Sequence, residues 1–201
     1  MYKGNKGFIL KFGDLAKTLS LEDWKTTSLE DLDSDTEWVA IVTDDAEAYL
    51  NEINAIVTKM KHPKTCFVID LHPCANYKHL QKLWDNYMMV DRESVEVLLS
   101  FIHHHLVNHS MISFTIQDFR VCSVPYPFVK AVSADIVKDA PIDPNAQAMC
   151  YGLCFEQACG LETSYVNAFA KTTDKIDEDK YVPWSIQYSS DNVIEAIFFY
   201  E

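Results

Sequence analysis

Glycine is scarce in this sequence of 201 residues, which has only five, at positions 4, 7, 13, 152 and 160. A phosphate-cradling P-loop and a dinucleotide fingerprint each need several glycines within one short loop, so neither exists here. A Gly-x-Ser-x-Gly elbow is also missing, which leaves serine-hydrolase chemistry without its nucleophile turn. Arginine is scarcer still, with Arg92 and Arg120 alone, and Lys plus Arg total 17 against 30 Asp plus Glu, a net charge of -13. Binding to a polyphosphate chain depends on cations that displace counterions, so no nucleic acid is expected as a partner. No stretch approaches the roughly 20 apolar residues that span a bilayer, and the first residues lead into no apolar signal core, so a cytoplasmic protein without membrane contact is expected.

What is present suffices for a core. Apolar residues make up 48% of the chain and aromatics 12%, enough for one globular domain over residues 1–201. The six cysteines (Cys66, Cys74, Cys122, Cys150, Cys154, Cys159) sit inside apolar segments of a long chain, where reduced, buried thiols are expected. Asn108-His109-Ser110 matches a glycosylation acceptor only formally, since no secretory route is implied.

Periodicity predicts a strand at 6–12, then an acidic, irregular or briefly helical segment at about 13–37, anchored by Leu15, Leu19, Leu21, Trp24, Leu29 and Leu32. An apolar strand at 38–42, a helix from Asp44 and Asp45 to Met60, and a buried strand at 65–71 form a strand-helix-strand unit with the two strands parallel. Helices are predicted at 79–90 and 93–109. Period-two patterning gives strands at 111–121 and 128–137, joined by a proline-stiffened turn. Asp143-Pro144 reads as the start of a central, all-round apolar helix at 145–159, ended by Gly160, with another helix at 161–171. Strands at 181–188 and 193–200 close the chain as a hairpin around 189–192. The fold class is thus α/β or α+β: a mixed sheet with an early parallel unit, later antiparallel pairs, and helices packed on it.

Four constellations bear on chemistry. Asp44, Asp45, Asp70 and His72 follow the two predicted parallel strands, so all four emerge at carboxyl ends, where open α/β sheets place ligands. Carboxylates and an imidazole there suit a divalent metal and an activated water, although an aspartate at either place also serves as a cap or turn. Val42-Thr43-Asp44-Asp45 and Val68-Ile69-Asp70-Leu71-His72-Pro73 are similar to pieces of a phospho-acceptor receiver domain. The two pieces lie too close in sequence for that family's intervening strand and helix, and its later lysine strand has no counterpart. His105 and His109 have the i, i+4 spacing for a shared metal, with His103 and His104 beside them, but Leu106 stands where a zinc peptidase has glutamate. Cys150, Cys154 and Cys159 match no zinc-ribbon spacing and read as packing.

From Glu22 to Glu47 ten carboxylates face Lys25 alone, a solvated face or a surface for a basic protein. The leading expectation is therefore an acidic binding or regulatory protein with no cofactor. A divalent-metal hydrolase built on the rim carboxylates is the alternative. A third expectation is a homo-oligomer that pairs the end strand at Ile197-Phe198-Phe199-Tyr200 across a symmetry axis.

Overall fold

Two five-residue strands, β3 (Val39–Thr43) and β4 (Cys66–Asp70), are buried at every position. A strand of that kind needs apolar cover on both faces, as parallel sheets have. The computed structural model describes residues 7–20, 24–32, 36–60, 65–108, 114–136, 139–156, 163–189 and 192–201. Among them β1 (Gly7–Phe12), β2 (Trp24–Thr26), β5 (Tyr87–Val90), β6 (Phe128–Asp135), β7 (Ala148–Glu156), β8 (Trp184–Ser189) and β9 (Val193–Tyr200) join β3 and β4 in one nine-stranded sheet ordered β2-β1-β3-β4-β5-β6-β9-β7-β8. The first six strands in that order are mutually parallel. β9 runs antiparallel to both β6 and β7, and β8 lies parallel to β7 at the edge. The mixed sheet, parallel early and antiparallel late, is the predicted class.

Helices cover both faces. On one side α4 (Val95–Ile102) and α5 (Ile116–Ser123) press Leu98, Leu99, Phe101, Ile102 and Phe119 onto Val42, Phe67, Met88 and Phe199. On the other, α2 (Leu50–Lys59) and α3 (Tyr77–Leu83) cover the parallel strands through Ile53, Ile56 and Leu80. α6 (Thr163–Thr173) sets Phe169 against Tyr151 and its neighbours over β7 and β9. A four-residue helix, α1 (Asp14–Lys17), follows β1. Among the described residues no helix is long and apolar enough to cross a membrane.

Several elements differ from expectation, each for a physical reason. Where a helix is expected at 145–159, Ala148–Glu156 is the strand β7. Residues 148–155 are all buried, so both faces of the strand are apolar and the alternation that marks a strand is absent. Asp143 begins no helix; its Oδ1 accepts the Asn145 N–H at 2.8 Å in a tight turn. The helix expected at 79–90 ends at Leu83, and Tyr87–Val90 is a central strand. Within 111–121, Ile116 onward is helical: Thr115 and Asp118 form a capping box, with the Asp118 N–H donating to Thr115 Oγ1 at 3.2 Å and the Thr115 N–H to Asp118 Oδ2 at 2.8 Å. The two last strands form no hairpin, because β7 lies between them. β9 is paired along both edges, so it cannot add a strand across a symmetry axis. The segment at 13–37 is tied into the fold through the edge strand β2; Leu19, Trp24 and Leu32 are buried, and Trp24 Nε1 donates to the Leu99 carbonyl at 3.1 Å. Gly160 and Cys159 lie outside the described residues.

Phe119 fixes α5 to the sheet, with its ring against those of Phe67, Phe101, Phe114 and Phe199. Phe119→Ala is expected to lower stability by about 3–5 kcal/mol, read as a shift of the urea midpoint. A loss below about 1 kcal/mol would mean that this aromatic cluster is not a core.

Candidate functional site

The carboxyl rim of the parallel strands is where the four rim residues were expected, and the premise holds. β3 and β4 are adjacent and parallel with Thr43 opposite Asp70, so Asp44, Asp45, Asp70 and His72 leave on one rim. Each then turns to a different task. Asp44 reaches across to the start of α1, where its Oδ2 accepts the Leu15 N–H at 2.8 Å and its Oδ1 the Ala16 N–H at 2.7 Å. Asp45 Oδ1 accepts the Ala48 N–H at 3.0 Å, so the expected helix start is a turn that precedes α2. Asp70 is 1% exposed; its Oδ2 accepts from Tyr87 Oη at 2.9 Å and its Oδ1 from the His72 N–H at 3.2 Å. The His72 side chain is exposed. Burial pushes the Asp70 carboxyl above its ordinary 3.8, against the three hydrogen bonds that it accepts.

Strand order gives Asp44 its significance. The connection from β1 leads to β2 on one side, and that from β3 leads to β4 on the other, so the order reverses between β1 and β3. Open α/β sheets bind ligands in the crevice at such a reversal, with an anion on the N–H groups that follow the first strand. Here those N–H groups already hold the Asp44 carboxylate. Gly13, at φ 95°, lacks the Cβ that would collide with it. Next to this crevice a cleft of about 550 Å³ opens above β4, β5 and β6. Its lining is largely apolar, and three of its charged groups are engaged within the fold: Arg92 with Glu96 at 3.3 Å, Asp91 on the Ser94 N–H at 2.8 Å, and Lys130 over the Tyr200 ring.

The second concentration of donor atoms lies under the antiparallel half. α4 runs into a π-helical turn, His103–Val107, closed by the Asn108 N–H on the His103 carbonyl at 3.0 Å. Single π turns recur where side chains are re-aimed for a purpose. Beneath it, register aligns Ser185 of β8, Gly152 of β7 and Glu195 of β9 in one row. His105 lies over Gly152, where any Cβ would strike its ring. His105 Nδ1 is 2.7 Å from Ser185 Oγ, and its Nε2 is 3.3 Å from Glu195 Oε2 and 3.6 Å from Cys154 Sγ. His104 Nδ1 is 3.6 Å from the same Glu195 oxygen and 3.8 Å from the same sulfur. Burial lowers the pKa of His105, which favours the neutral ring. Burial alone would raise Glu195, but the two histidines beside it reverse this and hold it at about 2.

No family model matches this chain, and no curated protein matches it. Solved structures do, in fold alone. CetZ from Methanosaeta thermophila aligns with a TM-score of 0.50 at 9% identity over 84% of this chain and 63% of its own. The α/β fold is shared with CetZ. A point mutant of FtsZ from M. jannaschii follows at 0.47, with 10% identity over 82% of this chain and 66% of that one, and TubZ from Bacillus thuringiensis serovar israelensis at 0.37, with 13% identity over 81% and 53%. The chain therefore spans less than two thirds of the length of these structures.

Sequence reasoning placed His105 in a metal pair with His109, which lies outside the described residues. It treated Cys154 as packing and did not single out Glu195. A lone glutamate within Val193-Ile194-Glu195-Ala196-Ile197 was the available signal, because a charge at the centre of an otherwise apolar strand demands a partner.

Two substitutions test this geometry. Asp44→Ala removes the acceptor for two N–H groups of α1 and is expected to cost about 1–2 kcal/mol, with Asp44→Asn costing less. For Asp70, whose folded pKa is raised, the stabilising contribution is complete below the unfolded value of 3.8 and fades as pH rises through the folded value. The urea midpoint of Asp70→Asn should therefore lack this loss as pH rises above about 4. Parallel pH profiles for the two proteins would refute the assignment.

Proposed function

We propose that this chain is a non-catalytic binding protein that uses an α/β scaffold without nucleotide, and that it engages a basic protein partner. The observation that carries the first half is the Asp44 carboxylate on the Leu15 and Ala16 N–H groups. A phosphate has to displace a covalently tethered anion to enter that crevice, and then sits beside Asp14, Asp44 and Asp45 without a cation from a glycine-rich loop. A hydrolase working through the same rim meets a related obstacle, because Asp44, Asp45 and Asp70 each hold backbone N–H groups of their own fold.

The partner class rests on charge. With 30 carboxylates against 17 Lys and Arg, the molecule attracts cations over a distance set by the Debye length, roughly 8–10 Å in physiological salt. The carboxylates do not form one patch: exposed Glu37 precedes β3, whereas Asp45 and Glu47 follow it, about 17 Å further along the strand direction. The field is therefore broad, and it steers encounter more than it fixes a docked pose.

Titration with GTP, GDP or ATP in the presence of Mg²⁺ is expected to leave the thermal midpoint unchanged. A saturable nucleotide-dependent rise would end the proposal. With a cationic protein such as lysozyme as probe, the association rate should fall at least about tenfold between low and physiological salt; a rate indifferent to salt would remove the electrostatic half.

A further inference from the structure

We infer that His104, His105, Cys154 and Glu195 form a tetrahedral zinc site that ties the π turn after α4 to β7 and β9. The four side chains offer two ring nitrogens, one sulfur and one carboxylate oxygen, all within 4.8 Å of one another. Zinc bonds of about 2.0–2.2 Å to nitrogen and oxygen and about 2.3 Å to sulfur, at tetrahedral angles, separate the donor atoms by roughly 3.3–3.6 Å. Four of the six separations are 3.3 and 3.6 Å from the nitrogens to Glu195 Oε2, and 3.6 and 3.8 Å from the nitrogens to Cys154 Sγ; nitrogen to nitrogen and sulfur to carboxylate lie within 4.8 Å. Four of the six pairs of donor atoms therefore stand at or close to the spacing that an ion between them needs, and inward movement of the side chains completes it.

A second observation points into the same space. Glu195 is 3% exposed; its Oε1 accepts from Ser100 Oγ at 2.6 Å, whereas its Oε2 receives no well-aligned hydrogen bond and faces only the ring nitrogens of His105 at 3.3 Å and His104 at 3.6 Å. A buried carboxylate oxygen that no aligned donor satisfies is costly unless a cation meets it, and an ion between this oxygen and the two ring nitrogens does so. Charge balances as well: Glu195 and a Cys154 thiolate supply two negative charges to a divalent ion, with both imidazoles neutral and the Cys154 proton released to solvent. Mixed imidazole, thiolate and carboxylate donors select zinc over the hard cations Mg²⁺ and Ca²⁺.

The surroundings are built for this arrangement. Ser185 Oγ at 2.7 Å from His105 Nδ1 leaves Nε2 facing the centre, and Ser100 orients Glu195, which are the outer contacts that ligating groups need. Gly152 opens the space that His105 occupies. All four positions around the ion are filled by protein, so the site is structural: it joins helix to sheet and leaves no place for a substrate water.

The test uses the full chain, stripped with a chelator under reducing conditions and then loaded with Zn²⁺ or Co²⁺. About one Zn²⁺ per chain should survive desalting and raise the thermal midpoint, and Co²⁺ should give the intense visible bands of a tetrahedral ion with a near-ultraviolet thiolate charge-transfer band. Cys154→Ser should abolish that band. His104→Ala, on the solvent side of the cluster, should keep the circular dichroism of the parent and weaken Zn²⁺ retention by at least about tenfold. It decides the matter if Cys154→Ser does not fold. A folded chain that retains no zinc, weak octahedral cobalt bands, a charge-transfer band that persists in folded Cys154→Ser, or undiminished zinc retention in His104→Ala would each overturn the site.

Discussion

Burial on both faces of the central strands is the constraint on which this structure rests. β3, β4, β5 and β7 carry almost no exposed side chain, so each helix is placed to keep water off one of two apolar surfaces. α4 and α5 lie over a core continuous from Ile9 of β1 to Cys150 of β7, which binds the parallel and antiparallel halves into one sheet. At roughly 25 cal/mol per Å² of apolar surface removed from water, such a shared core outweighs any single polar contact in the molecule.

The same constraint makes every polar group inside the sheet informative. Asp70 answers Tyr87, Asn86 donates to the Cys66 carbonyl at 3.2 Å, and Ser185 meets His105. The first two link β4 to β5 or to the residue just before it, and the third joins β8 to the π turn. Glu195 differs, since it stands in a row with Gly152 and Ser185 and draws on Ser100 of α4 and the two histidines of the π turn. This one brings together Ser100, His104, His105, Cys154 and Glu195 from four elements, and that concentration is why it reads as a site.

Legibility in the sequence followed the same physics. The unit of β3, α2 and β4 was readable because a helix with an apolar stripe at Ile53 and Ile56 separates two short β-branched runs. β7 was misread because Met149, Cys150, Tyr151, Leu153, Cys154 and Phe155 are apolar on both faces, and periodicity cannot separate such a strand from a buried helix. α5 was misread as a strand although its capping box, Thr115 with Asp118, was present in the sequence. Of the site residues, the rim positions of Asp44 and Asp70 followed from topology, but their hydrogen-bond partners did not. The cluster around Glu195 was hidden because it depends on register between strands far apart in sequence, and on a π turn that breaks the helical angles used to place His104 and His105.

The scarcity of glycine acquires its meaning from these two places. At Gly13 the missing Cβ lets Asp44 enter the crevice between β1 and β3, and at Gly152 it lets His105 descend onto the sheet. In both, a side chain from one element fills space that glycine leaves in another. At the first, this closes the position where an α/β sheet ordinarily meets an anion. At the second, it assembles donors beneath a helix end, on the side of the sheet remote from that crevice's strands. A protein with so few glycines thus uses two of them to let a carboxylate and an imidazole of one element enter the backbone space of another, one at the parallel rim and one over the antiparallel half.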